Sequence, residues 1–301
     1  MEYKIITDGS CDLPPELCKE KGIVVVPFYV SFDSENYQKE IVEMPIRTFY
    51  EQMVSDPTTF PKSSMPSVQD YVDVFMPVVQ ENKAVICLCI TTKFSGSYQS
   101  AMGARQIVLE SFPQAQITVM DTTINTVLQG LFVLEAIKLY EANIPYEEVI
   151  KELDSIKKTG RIFFTVGNID YLKHGGRIGK LAGLAGSMLG IKPLITLKEG
   201  EIFPSGVSRG RKKSLEKVYD LLWQYLEQIH ASPEEYSICV GYGYDMEEAE
   251  EFRKKAVAFL NAKGFAIEDD ELKSYQIGAT ISVHTGPYPL GFGVVRKASI
   301  Q

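Results

Sequence analysis

Short apolar runs that alternate with amphipathic stretches limit what the first half of this chain can fold into. Residues 4–7, 23–30, 84–91 and 115–120 are apolar and short enough to read as buried strands. Helical spacing of apolar residues near 45–54, 68–79, 98–109 and 125–141 fills the intervals. Such alternation calls for a parallel sheet with helices on both faces. Sheets of that kind bind ligands beyond the carboxyl ends of their strands, which gives a place to look but no chemistry.

The pattern changes after Lys157-Lys-Thr-Gly160. A strand over 161–166, a glycine-rich helical stretch over 178–189 and a hairpin around 191–203 come next. A helix over 211–229, a strand over 236–242, a helix over 246–262 and late strands near 276–283 and 291–295 complete the chain. This reads as a second α/β domain, 161–301, packed without a Pro- or Ser-rich linker on a Rossmann-like first domain, 1–160. At 301 residues the chain buries roughly 75% of the surface its unfolded form exposes and needs neither disulfide nor metal to hold a core.

Charge narrows the function classes. With 39 acidic against 31 basic side chains the net charge is −8, which opposes broad nucleic-acid binding. The N-terminus lacks a leader pattern and no uncharged apolar stretch reaches the roughly 18 residues a bilayer span needs, so the expected location is the cytoplasm. Cys87 and Cys89 share one face of a predicted strand and read as small hydrophobes; no CxxC pair or Cys/His cluster suggests a metal.

Three polar segments flank predicted strands or helices. In Lys62-Ser63-Ser64-Met65-Pro66-Ser67, Ser67 with Asp70 fits a helix N-cap, which leaves Ser63 and Ser64 free for other work. In Thr91-Thr92-Lys93-Phe94-Ser95-Gly96-Ser97, hydroxyls and a glycine precede a helix N-terminus. That is both an anion receptor and a place for a capping serine. In Val283-His284-Thr285-Gly286-Pro287, a histidine directly follows a predicted strand and is either structural or functional. The segment from Tyr171 to Lys180 fails the P-loop pattern, with His174 at the first Gly position and Leu181 in place of Ser or Thr. Its Gly179, Gly183, Gly186 and Gly190 at helical spacing invite close approach by another helix or by a slim ligand chain.

With these segments the chain resembles the DegV family of fatty-acid-binding proteins. The resemblance runs nearly end to end, through Asp8-Gly9-Ser10, Ser63 to Ser67, Phe94 to Ala101, Gly175-Gly-Arg-Ile-Gly179, Ile191-Lys-Pro193 and His284-Thr-Gly286. It implies a three-layer α/β/α parallel-sheet domain plus a two-layer α/β domain with a mixed sheet, and an acyl chain between them. It further implies a carboxylate met by Ser63, with Ser64 beside it, by Ser95 and Gly96, and by His284 with Thr285. Arg177 and Arg209 match head-group or kinase-facing arginines. The resemblance implies no cofactor and no metal, only a long-chain fatty acid presented to a separate fatty acid kinase of the dihydroxyacetone-kinase-like type. The basic run Arg209 to Lys213 reads mostly as solvated helix charge; a kinase-docking face or transient contact with anionic membranes is compatible with it. Ser63 and Met65, where the family usually carries a Thr and a polar residue, and Tyr288 and Pro289 depart from the family pattern and add or reshape apolar bulk near the mouth.

Magnitudes favour a lipid. At about 0.8 kcal/mol per methylene, a chain of about 14 offers roughly 11 kcal/mol before entropy losses. Desolvating a carboxylate costs several kcal/mol unless hydrogen bonds offset it, which hydroxyls, helix N–H groups and an imidazole can do. The rival is a hydrolase with Ser95 as nucleophile, His284 as base and Asp8 or Asp121 as orienter, although Ser95 lacks the Gly-x-Ser-x-Gly elbow. A phosphatase acting through Asp8 or Asp12 lacks the Asp-x-Asp spacing.

Overall fold

The structure, a computed structural model, describes residues 2–184 and 190–300. In the first half, β1 (Tyr3–Asp8) is followed by a 3-10 turn at Gly9–Cys11, α1 (Pro15–Glu20), β2 (Val24–Val26), β3 (Tyr29–Ser31) and β4 (Gln38–Lys39). Then come α2 (Ile46–Ser55), β5 (Lys62–Ser64), α3 (Val68–Gln80), β6 (Ala84–Cys89), α4 (Ser97–Ser111) and β7 (Ile117–Asp121). Two helices, α5 (Thr126–Glu141) and α6 (Tyr146–Ile156), close it.

Strands β2, β1, β6 and β7 form, in that order, the all-parallel sheet the alternation required. Helices cover both faces: α3 and α4 pack over Cys87 and Cys89, whereas α5 and α6 pack over Ile86 and Leu88. The expected single strand over 23–30 is broken at Pro27-Phe28. Its second part, β3, leaves the sheet and pairs antiparallel with β4 and β5 instead. The segment holding Ser63 is therefore a strand rather than a loop, with Val30 opposite Ser63. Ser67 and Asp70 make the expected reciprocal cap, at 3.1 and 2.8 Å.

The second half contains β8 (Arg161–Thr165), α7 (Asp170–His174), β9 (Ile191–Lys198), β10 (Glu201–Arg209), α8 (Arg211–Gln228) and β11 (Tyr236–Tyr242). It ends with α9 (Met246–Ala262), β12 (Lys273–Gln276), α10 (Ala279–Thr285) and β13 (Leu290–Arg296). A six-stranded sheet runs β10-β9-β8-β13-β11-β12, antiparallel except for the parallel β11–β12 pair, so it is mixed. The glycine-rich stretch is a 3-10 turn at Gly179–Leu184; the rest of the expected helix, Gly186 included, lies outside the described residues. Among the described residues no helix is long and apolar enough to cross a membrane.

Helix α5 joins the halves. It is buried on nearly every side, because one side packs on β1 and the other on β11 and β13 of the mixed sheet. Gly241 and Gly293 allow that contact: a Cβ on either would stand 2.8 Å from a Val127 methyl or 3.1 Å from Leu128 Cβ.

The late strand expected over 276–283 is mostly helix. Thr280, Ile281, Val283 and Thr285 are β-branched and carry strand propensity, but tertiary contacts override it. As α10 the segment is buried between Val30, Phe49 and Tyr50 of the first half. Tyr50 Oη donates to Ile277 O at 2.9 Å, and Thr280 N–H donates to Glu40 Oε2 at 3.0 Å.

Candidate functional site

A cavity of about 270 Å3 lies beyond the carboxyl ends of β6 and β7, between the parallel sheet, α10 and one face of the mixed sheet. A single buried water needs only ~10–15 Å3 of such space, so the room is built for something much larger. Its walls are mainly apolar: Phe28, Ile90, Val127, Ile162, Leu197 and Ile281 among others. Polar groups gather where Ser63, Ser64, Ser95, Gly96, Arg177, His284 and Thr285 line it.

Three elements bring that cluster together. Strand β5 directs the Ser63 hydroxyl at His284, with Oγ 3.3 Å from Nε2. Successive strand residues face opposite ways, and Ser64, next in line, borders the exposed rim. The chain leaving β6 carries Ser95 and Gly96 to the start of α4. Ser95 Oγ accepts from Ser97 N–H at 3.1 Å, so its own proton remains available to a ligand. Met65 rests on Gly96, where a Cβ would come within 2.5 Å of its sulfur.

His284 sits on the last turn of α10. Gly175 makes space for it, since a Cβ there would stand 2.1 Å from Nδ1. Among the described residues that nitrogen has no hydrogen-bond partner. Burial first, then the charges of Arg177 and Lys62, push the imidazole pKa down from 6.5 to about 3. His284 is therefore neutral at ordinary pH. With Nδ1 unanswered, the favoured tautomer carries its proton on Nε2 and donates it to Ser63, which frees the serine proton for a ligand oxygen.

Arg177 is the nearby positive charge. Its guanidinium donates to Phe94 O through Nε and Nη2, at 3.1 and 2.8 Å, and to Gly175 O at 2.7 Å. Burial lowers its pKa, and among the described residues no carboxylate lies within ion-pair distance. It thus ties the Ser95 segment to the glycine turn behind His284 while keeping charge at the polar end. The remaining expected residues are less direct. The Thr285 hydroxyl turns back to Ile281 O at 3.3 Å, and Arg209, exposed at the end of β10, does not line the cavity.

The hydrolase triad is not assembled. Ser95 does not touch His284, and an imidazole held near pKa 3 is a poor base. Asp8 accepts from Ser10 and Gln129 on one oxygen, at 2.7 and 2.8 Å, and from Ile90 N–H and Ser97 on the other, at 2.9 and 2.7 Å. Asp121 takes Thr92 Oγ1 at 2.6 Å and Thr123 N–H at 2.9 Å. Neither carboxylate reaches the histidine. Sequence reasoning did not single out Asn125, Thr126 or Thr280, which also line the cavity; an asparagine at a helix start ordinarily reads as a cap.

The chain shares its fold with solved proteins that are described as fatty-acid binders. A family model described as "Uncharacterised protein, DegV family" matches residues 2–297. A stearic-acid-binding protein from Eubacterium ventriosum superposes with a TM-score of 0.92 at 42% identity, covering 98% of each chain. A fatty-acid-binding DegV family protein from Thermus thermophilus gives 0.86 at 32% identity, over 98% of this chain and 100% of that one. Protein DegV of Bacillus subtilis is 29% identical over 97% of this chain and 98% of its own length.

Proposed function

The chain belongs to the DegV family, and from that premise we propose that it binds one long-chain fatty acid with its carboxylate at the Ser63–His284 end of the cavity. A single observation carries the reading: an apolar room of about 270 Å3 ends in a Ser63–His284 contact that leaves the serine proton unspent. The ligand lies between residues 1–160 and 161–301. Its carboxylate accepts from Ser63, Ser64 and Ser95 and from the N–H groups that open α4. There Gly96 permits close approach and the helix dipole favours negative charge.

Arg177 supplies the countercharge. Three of its five N–H groups are taken by backbone carbonyls, which leaves two directed at solvent or ligand. The acyl chain replaces water along the apolar wall and provides most of the affinity. The protein catalyses nothing alone; it presents the acid in the cytoplasm to a separate fatty acid kinase of the dihydroxyacetone-kinase-like type. Arg177, together with the exposed Arg209, faces that partner, and no cofactor takes part. Native mass spectrometry of freshly purified protein should show a mass excess equal to one fatty acid. An unliganded mass persisting after incubation with saturated and monounsaturated long-chain acids would sink the reading.

A further inference from the structure

The segment from Tyr171 to Lys180, which fails the P-loop pattern, begins with two aromatic rings on α7. Tyr171 and His174 stand three residues apart, so they share one face of that helix. Both meet Phe60. The Phe60 and His174 rings stack with centroids 3.8 Å apart and planes 14° from parallel, and Phe60 meets Tyr171 at 5.0 Å and 59°. Tyr171, 4% exposed, also touches Gly286, where a Cβ would stand 2.6 Å from its ring. Gly286 closes α10 at φ +74°, so the absence of a side chain both permits that backbone and lets the helix end against the tyrosine.

None of the three rings borders the cavity, yet each contact lies within three residues of its polar end. Phe60 leads through the buried Pro61 into β5 and Ser63; His174 adjoins Gly175 and precedes Arg177 by three; Gly286 follows His284 by two. The glycine turn hangs directly from α7, with Gly175 N–H donating to Tyr171 O and Arg177 N–H to Leu172 O, both at 2.9 Å. Strand β5 belongs to the first half of the chain, α7 and α10 to the second. A 3.3 Å contact between Ser63 and His284 is too weak to set the spacing of these segments by itself. Packed rings add a preferred geometry to the area they bury.

We propose that Phe60, Tyr171 and His174 are positioning residues for the carboxylate. Their rings form a bracket outside the cavity that holds Ser63, Arg177 and His284 at the spacing one carboxylate spans. The bracket acts through those three residues. This inference rests on the fatty-acid reading of the cavity and adds what aligns its head site.

Delipidated protein offered hexadecanoic acid and hexadecanol, separately and in competition, and read by native mass spectrometry, tests it, because the two lipids share a tail and differ in the head. His174→Ala, at an exposed position, and Phe60→Leu should each lower the acid-to-alcohol ratio about fivefold, with retention of the alcohol alone unchanged. Tyr171→Leu should lower the ratio as well, and Tyr171→Phe, which keeps the ring, should restore it. His174→Ala decides should the variants at the two less exposed rings fail to fold. A ratio unchanged in His174→Ala, or acid and alcohol lost in equal proportion, overturns the bracket and leaves the fatty-acid reading standing. Wild-type protein that retains neither lipid, or both equally, overturns the fatty-acid reading itself.

Discussion

Two polar clusters lie within a few residues of each other at the carboxyl end of the parallel sheet, and they are finished differently. Around Asp8 every carboxylate oxygen is answered twice, by Ser10, Gln129, Ile90 and Ser97, and Tyr71 adds a 2.6 Å bond to Ser97. Around His284 one serine touches one ring nitrogen at 3.3 Å, and the other nitrogen has no hydrogen-bond partner among the described residues. The same motif feeds both: Ser97 goes to Asp8, while Ser95, two positions earlier, faces the cavity. Saturation separates a polar group that holds the fold from one that waits for a ligand, since a buried group left unpaired is costly unless function retains it.

The contrast can be broken most forcefully at Asp8. Asp8→Ala removes the acceptor that four donors share and should cost about 3–5 kcal/mol of unfolding free energy in urea titration; a loss under about 1 kcal/mol would erase the distinction. Ser97→Ala and Ser95→Ala sharpen it as a pair. The first should cost about 1–3 kcal/mol. The second should cost at most ~1 kcal/mol, in the range of a lost cap, but lower fatty-acid retention; the reverse pattern would exchange the roles assigned to the two serines. His284→Gln should weaken fatty-acid affinity about tenfold, ~1.4 kcal/mol, with unliganded stability changed by less than ~1 kcal/mol. Unaltered affinity measured by calorimetry would remove His284 from the site.

The smallest effect is on pH dependence. A folded pKa of about 3 against 6.5 for a free imidazole means that the unfolded chain takes the proton first in that window. The contribution of His284 to stability is therefore complete above 6.5 and is lost as pH falls toward 3, with a slope of at most ~1.4 kcal/mol per pH unit. Burial raises the pKa of Asp8, Asp12 and Glu40, which gives slopes of the opposite sign above the ordinary carboxylate range. The difference between wild type and His284→Gln isolates the histidine. Parallel stability curves for the two proteins would contradict its burial as a neutral ring.

Much of this was legible in the sequence because periodicity reports which faces are buried. The parallel sheet, the β9–β10 hairpin and the cap at Ser67 follow from local pattern. Helix α6 was equally legible in principle: Tyr146, Val149, Leu153 and Ile156 repeat at helical spacing. What local pattern could not show depends on distant partners. Residues 279–285 carry strand-forming side chains and become helix because Glu40 and Tyr50 receive them. Residues 62–64 look like a loop and become a strand because Pro27 releases β3 from its first sheet. Of the residues the resemblance implies, Ser63, Ser64, Ser95, Gly96, Arg177, His284 and Thr285 line one cavity and Arg209 lies outside it. Asn125 and Thr280 gave no recognisable signature, since an asparagine at a helix start ordinarily reads as a cap.

The way α10 is seated restricts how anything gets in. By sequence it falls between β12 and β13 of the mixed sheet, yet it is bolted to Tyr50 and Glu40 on the opposite half. A book-like opening of the two halves would have to pull the histidine-bearing wall from its seat. The rim is built more lightly: there one unbranched side chain, Met65, 46% exposed, borders the cavity and rests on Gly96.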